Sequence, residues 1–152
     1  MGKYSFNVAC DSSNNYFSQI NGSTTQFNFN WSMVKDCKYD LTFSYMSDDT
    51  TTTLSPVMTL WTDFNSVENT YLANATTASP NINLLGCLRA DKHGANGYYY
   101  ADTETNPPVR IQRPSNNTFT IFLRNALTNV AYSTPVASQY VLILHFEECE
   151  EY

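Results

Sequence analysis

Two histidines, His93 and His145, and four cysteines, Cys10, Cys37, Cys87 and Cys149, are the side chains of this chain best suited to act as bases, nucleophiles or zinc ligands. A zinc site needs three or four such groups, usually at short spacings. Neither histidine has a second histidine at ligand spacing, and no C-x-x-C occurs. His93 falls in a glycine-bearing stretch, His93-Gly94-Ala95-Asn96-Gly97, where surface placement is expected. His145 shares an alternating face with Val141 and Ile143 and is expected as a satisfied core or interface residue rather than a base. The cysteines lie far apart, and in a cytosolic chain of this length they are expected as reduced, mostly buried thiols.

The carboxylates give no stronger signal. Asp48-Asp49 offers clustered oxygens of the kind calcium takes, but lacks the regular acidic spacing and glycine of a calcium loop, so a solvated turn is expected. Asp102 and Glu104 stand two apart, as an acid and base pair might in a glycosidase, with nothing else to support one. There is no G-x-S-x-G elbow, H-E-x-x-H, Walker loop or G-x-G-x-x-G. No catalytic, cofactor-binding or metal residue is assigned, and an enzyme is not expected. Tyr98-Tyr99-Tyr100 stays open to three readings: a protein interface, ordinary packing, or stacking of sugars or bases.

The elements that would carry these residues read as strands. The chain has 152 residues, 14% charged and 14% aromatic. A domain of this size buries roughly 70% of its unfolded surface, so residues 1–152 fit one domain with a real core. The net charge of −6 and the absence of any run of three Lys or Arg exclude nucleic acid as the main partner. The one dense charged segment, Glu147-Glu148-Cys149-Glu150-Glu151, reads as a solvated end. No apolar run follows the first residues, so no signal peptide is expected, and none is long enough for a membrane span. Phe6 stands where myristoylation would want Ser or Thr. The sequons at Asn21, Asn30, Asn74 and Asn116 occur at about chance frequency.

Period-two alternation recurs along the chain. Strands are expected over residues 4–10, 26–32 (Phe27, Phe29 and Trp31 inward), 38–47 (Tyr39, Leu41, Phe43 and Tyr45 inward), 55–64, 82–90, 109–113, 118–125 and 139–146, with a weaker candidate over 71–75. The short segment Asp36-Cys37-Lys38 implies a hairpin or a corner between the second and third. Residues 91–106 are long for an ordinary connection and are expected as a contact loop. The final run is apolar on both faces, which predicts a central strand covered twice. No helical period of twelve residues occurs. The fold class expected is all-β, a single eight-stranded antiparallel jelly-roll sandwich; an immunoglobulin-type sandwich competes, but its Cys…Trp…Cys spacing is missing.

The last third carries a resemblance. Pro108-Val109-Arg110-Ile111-Gln112-Arg113-Pro114, then Asn116-Asn117-Thr118-Phe119-Thr120-Ile121-Phe122-Leu123, then Tyr140-Val141-Leu142-Ile143-Leu144-His145-Phe146-Glu147, resembles the closing strands of single jelly-roll penton and minor capsid proteins. These belong to large icosahedral double-stranded DNA viruses and their virophages. The resemblance covers about the last 45 residues. It implies a structural protein of the virion, made in the host cytoplasm, most readily the penton subunit closing fivefold vertices and otherwise a minor cementing subunit. The implied partners are copies of itself, as a homo-oligomer of five, together with a major double jelly-roll capsid protein and other minor capsid proteins. No catalytic residue is carried over. The alternative is a jelly-roll carbohydrate- or receptor-binding module using Tyr98 to Tyr100, Trp61 or Trp31 as a platform.

Overall fold

The computed structural model describes residues 3–11, 18–21, 24–49, 57–64, 83–93, 96–101, 106–125, 130–131 and 140–149. Eleven strands occur there: β1 (Ser5–Asp11), β2 (Ser18–Asn21), β3 (Thr24–Asn28), β4 (Lys38–Asp49), β5 (Val57–Thr62), β6 (Asn83–His93), β7 (Asn96–Ala101), β8 (Val109–Gln112), β9 (Thr118–Asn125), β10 (Val130–Ala131) and β11 (Tyr140–Glu148). All pairings are antiparallel. One layer runs β1-β11-β4-β8 and the other β3-β9-β5-β6. Successive strands of this set cross repeatedly between the layers, which is the winding of an eight-stranded jelly roll.

The three further strands exceed the eight expected from sequence. β2 extends β3, β10 is a two-residue addition to β9, and β7 joins the layers along one side. β7 pairs with β6 on one edge and with the second half of β4 on the other. The first half of β4 pairs instead with β8. Twelve residues of β4 thus serve two partners in sequence, and the sheet is nearly closed.

Alternation sets the inner faces. Tyr39, Leu41, Phe43 and Tyr45 of β4 are buried, as are Leu142, Leu144 and Phe146 of β11 and Phe119, Ile121 and Leu123 of β9. Proline marks the borders of β8: Pro107-Pro108 precede it and Pro114 follows, where a missing N–H costs no ladder bond.

The strand expected over 26–32 ends early, at Asn28. Phe29 N–H still donates to Asn117 O at 2.8 Å, and then the chain turns into one 3-10 turn, Trp31–Met33. Asn30 caps it, its Oδ1 accepting from Ser32 N at 3.2 Å and from Ser32 Oγ at 2.6 Å. Asparagine side chains compete with ladder bonds in this way, and that competition overrides the period-two pattern. Because β3 and β4 lie in different layers, the segment between them is a corner, not a hairpin.

The corner drives Trp31 into the core at 2% exposure. Its ring meets Phe29 at 4.6 Å, Phe146 of β11 at 5.5 Å, Phe64 at 5.6 Å and Phe119 of β9 at 5.9 Å. β9 and β11 belong to opposite layers, so one side chain ties both. Arg113 holds the corner from outside: its Nη1 donates to Trp31 O and Val34 O, each at 3.0 Å, and its Nε lies 3.5 Å from Asp36 Oδ1.

β6 carries a bulge. Leu60 pairs with Gly86 but Trp61 with Leu84, so Leu85 is the extra residue. At Gly86 an added Cβ would stand 2.5 Å from Asn106 Cγ and 2.9 Å from Phe43 Cε1. Asn106 cannot retreat freely, because its Oδ1 accepts from Cys87 N at 2.9 Å while its Nδ2 donates to Cys87 O at 3.2 Å. The amide thus replaces a missing strand partner.

Replacing Trp31 by alanine is expected to cost about 3–5 kcal/mol in urea unfolding, by loss of the ring and creation of a cavity. Trp31→Phe is expected to cost less than about 2 kcal/mol, because Trp31 Nε1 is buried without a hydrogen-bond partner and its removal relieves that penalty. Gly86→Ala is expected to lower stability by about 1–3 kcal/mol in the same measurement, through overpacking against Phe43 and the pinned amide.

Candidate functional site

Residues directly opposite one another in antiparallel strands point to the same side of a sheet. The register therefore lays out the outward face of the β1-β11-β4 layer in rows. Asp11 is opposite Val141, Val141 opposite Met46, Met46 opposite Tyr100, and Tyr100 opposite Arg89. The next row is Ala9, Ile143 and Ser44; the next is Asn7, His145 and Thr42; the last is Ser5, Glu147, Asp40 and Arg110.

The upper two rows carry exposed apolar side chains, with Asp11 and Arg89 also in the first row and Ser44 in the second. Met46 is 64% exposed, Val141 43% and Ile143 39%. Sequence alternation predicted β11 as a central strand covered on both faces. It is central, lying between β1 and β4, but only its inner face is covered. The second apolar face belongs to the molecular surface.

The lower rows are polar and internally matched. His145 Nδ1 lies 2.6 Å from Asn7 Oδ1 on the next strand. The histidine is half-buried on the outer face, which removes it from the core. Arg110 Nε donates to Asp40 Oδ1 at 3.1 Å, and Lys3 Nζ lies 3.4 Å from Glu147. Lys35 pairs with Glu148, whose carboxyl is held below its usual range by that hydrogen bond first, while Lys35 is raised by the same contact. Glu147 and Glu148 are thus strand residues with cationic partners, not a solvated end; Glu150 and Glu151 lie outside the described residues.

Other candidates change place. Asp48 and Asp49 close β4, opposite Tyr98 and Gly97, and do not form a turn. His93 is the last residue of β6 and pairs with Asn96, so residues 91–93 and 96–101 lie in paired strands rather than in the expected contact loop. The tyrosine triplet lies in β7, where Tyr100 joins the apolar face beside Met46. Both tryptophans proposed as a stacking platform are buried: Trp31 in the core, and Trp61 at 3% exposure with its Nε1 donating to Thr59 Oγ1 at 2.9 Å. Asp102, Glu104 and the weak strand over 71–75 lie outside the described residues. Among those described, no group of three His, Cys, Asp or Glu is placed to hold a metal ion. No helix among them is long and apolar enough to cross a membrane.

All four thiols are free. Cys10 and Cys149 are buried, Cys37 is half-buried and Cys87 exposed. Burial pushes the Cys10 thiol up to about 12. Cys149 rises to about 11, from burial first and then from its contact with Asp40 Oδ1 at 3.3 Å. Burial also raises the Tyr39 hydroxyl, which donates to Lys35 O. The buried thiols are structural groups, since only a thiolate attacks.

The outward apolar face was readable in part: residues 140–146 show it, and only the expectation of a second cover hid it. The contribution of Met46 and Tyr100 needed the register. No protein-family model matches this chain, and no curated protein is similar to it.

With a thiol reagent at neutral pH, Cys87 is expected to react promptly in the folded protein. Cys10 and Cys149 are expected to react roughly a hundredfold more slowly or only after denaturant is added, followed by mass spectrometry of the labelled peptides.

Proposed function

We propose that this chain is a structural, non-enzymatic capsid protein: the penton subunit that closes the fivefold vertices of an icosahedral shell, with a minor cementing subunit of the same shell as the other placement. One observation carries the reading. A single jelly roll turns the exposed side chains of Met46, Val141 and Ile143 outward on the layer where Glu147 pairs with Lys3 and Asp40 with Arg110. Fold alone does not fix function. A surface of this chemistry is what an assembling subunit needs, because interface cores are depleted in charge and enriched in aromatic residues and methionine.

The resemblance of residues 108–147 to closing strands of penton and minor capsid proteins supports the same assignment. So does the size, which suits a single jelly roll set among larger double jelly-roll subunits. Wedge-shaped sandwiches arranged about a rotation axis meet through contacts that close into a ring. On this reading the partners are copies of the chain, the major capsid subunit and other minor subunits, and its place is the virion. A carbohydrate- or receptor-binding module, the alternative, would have to use the tyrosines of β7 as its platform, because Trp31 and Trp61 are buried.

Electron microscopy and native mass spectrometry of the purified protein are expected to show closed rings of five copies. A protein that stays monomeric at the highest attainable concentration, and is missing from vertices of assembled shells, would end the proposal.

A further inference from the structure

We infer that the free edge of β1 pairs with β1 of a second copy of this chain, antiparallel and in the register centred on Asn7. The inference goes beyond the ring proposed above. A strand meeting its own equivalent makes a two-fold contact, which cannot itself close a ring of five, so it joins copies through a second, separate surface.

Residues of an antiparallel ladder turn their backbone groups alternately to one neighbour and to the other. Glu148 N–H donates to Tyr4 O at 2.8 Å, so Tyr4, and with it Phe6, Val8 and Cys10, faces β11. Ser5, Asn7 and Ala9 therefore aim their N–H and C=O groups the other way, where β1 has no strand partner among the described residues. All three residues are exposed. Donors and acceptors repeated at every second residue along an edge are matched by an extended polypeptide backbone.

Native sheets usually guard such edges. Besides β1, the strands with a single partner among the described residues are β2, β8 and β10. β2 has four residues and an irregular register, β8 has four residues between Pro108 and Pro114, and β10 has two. β1 has seven residues, no proline, and an unbroken register with β11. Its one charged residue, Asp11, stands at its end.

The occupant follows from β1 itself. A partner strand must bring free backbone groups to those of Ser5, Asn7 and Ala9, and a second β1 carries them at the same three positions. Centred on Asn7, the pairing sets Ser5 opposite Ala9, Phe6 opposite Val8 and Asn7 opposite its own equivalent. Phe6, half-buried, thereby gains a branched neighbour on the inner side. Lys3, which also reaches Glu147 of its own copy, falls opposite Asp11 of the second copy, and symmetry repeats the match at the other end. Sliding one strand by two residues in either direction loses that charge match, so the sequence favours this register in a chain whose net charge of −6 otherwise keeps copies apart.

Amide hydrogen exchange, read residue by residue against protein concentration, tests the pairing. The amides of Ser5, Asn7 and Ala9 are expected to slow by at least about 10-fold as copies associate, while those of Phe6, Val8 and Cys10 stay slow throughout. Ala9→Pro removes an edge donor that β11 does not use, so the variant is expected to fold and to weaken association by at least about 10-fold in sedimentation velocity. Asp11→Lys sets lysine against Lys3 and is expected to weaken association about 3- to 10-fold, and adding Lys3→Asp to the same chain is expected to restore it. Met33→Glu, on the 3-10 turn, is expected to leave association unchanged. Association that leaves the three amides fast, or that survives Ala9→Pro in a folded variant, overturns the inference. So does a charge swap that fails to restore pairing, or capture of another polypeptide on this edge by a chain that does not self-associate. A ring of five with open β1 edges would overturn the pairing and leave the proposed function standing. Paired copies that never form a ring would support the pairing and remove the penton reading.

Discussion

The two layers of this protein are joined through Trp31, and the geometry around that ring constrains the rest. Its contacts with Phe119 and Phe146 span the sandwich, while Phe29 and Phe64 close it in from the sides. The angles are steep, 75° to Phe146 and 85° to Phe64, so edges meet faces in the arrangement that aromatic quadrupoles favour. Such a ring reaches the centre only because the chain leaves its strand at Asn28 and dives inward. The Arg113 guanidinium, by binding the carbonyls of Trp31 and Val34, fixes the corner from the next layer element. Local polar chemistry at Asn30 and Arg113 thus places the largest apolar side chain of the core.

From that anchoring follows a division of labour between faces. Inner faces are filled by aromatic and branched side chains. The outward side of the first layer is free to evolve as a surface, and there the chain keeps Met46, Val141 and Ile143 rather than the polar residues that alternation would supply. Two of its flanking carboxylates, Asp40 and Glu147, pair with Arg110 and Lys3.

Much of this was legible in the residues. β9 falls at the expected bounds, and the inward sets of β4 and β11 follow the alternation directly, because a half-buried strand writes its face into every second position. Other features were hidden for identifiable reasons. Trp31 continued an alternating pattern with Phe27 and Phe29, yet hydrogen bonding by Asn30 redirected the backbone. The hairpin of β6 and β7 was hidden by glycines and polar residues that read as a loop, although its pairing partner, the far half of β4, lies some fifty residues away in sequence. The bulge at Leu85 and the amide bridge from Asn106 are tertiary facts with no local signature. Of the interaction face, β11 announced itself, while Met46 and Tyr100 became neighbours only through register.

One consequence lies in the pairing of β1 with β11. Ser5 is opposite Glu147, so β1 waits for a partner far along the sequence. β11 also fills the slot between β1 and β4, and until it arrives both strands present bare edges and uncovered inner side chains. Closing so wide a loop is entropically slow, and pairings of high sequence separation delay the folding of β proteins generally. A nascent chain therefore keeps those edges and inner side chains uncovered until β11 has been made.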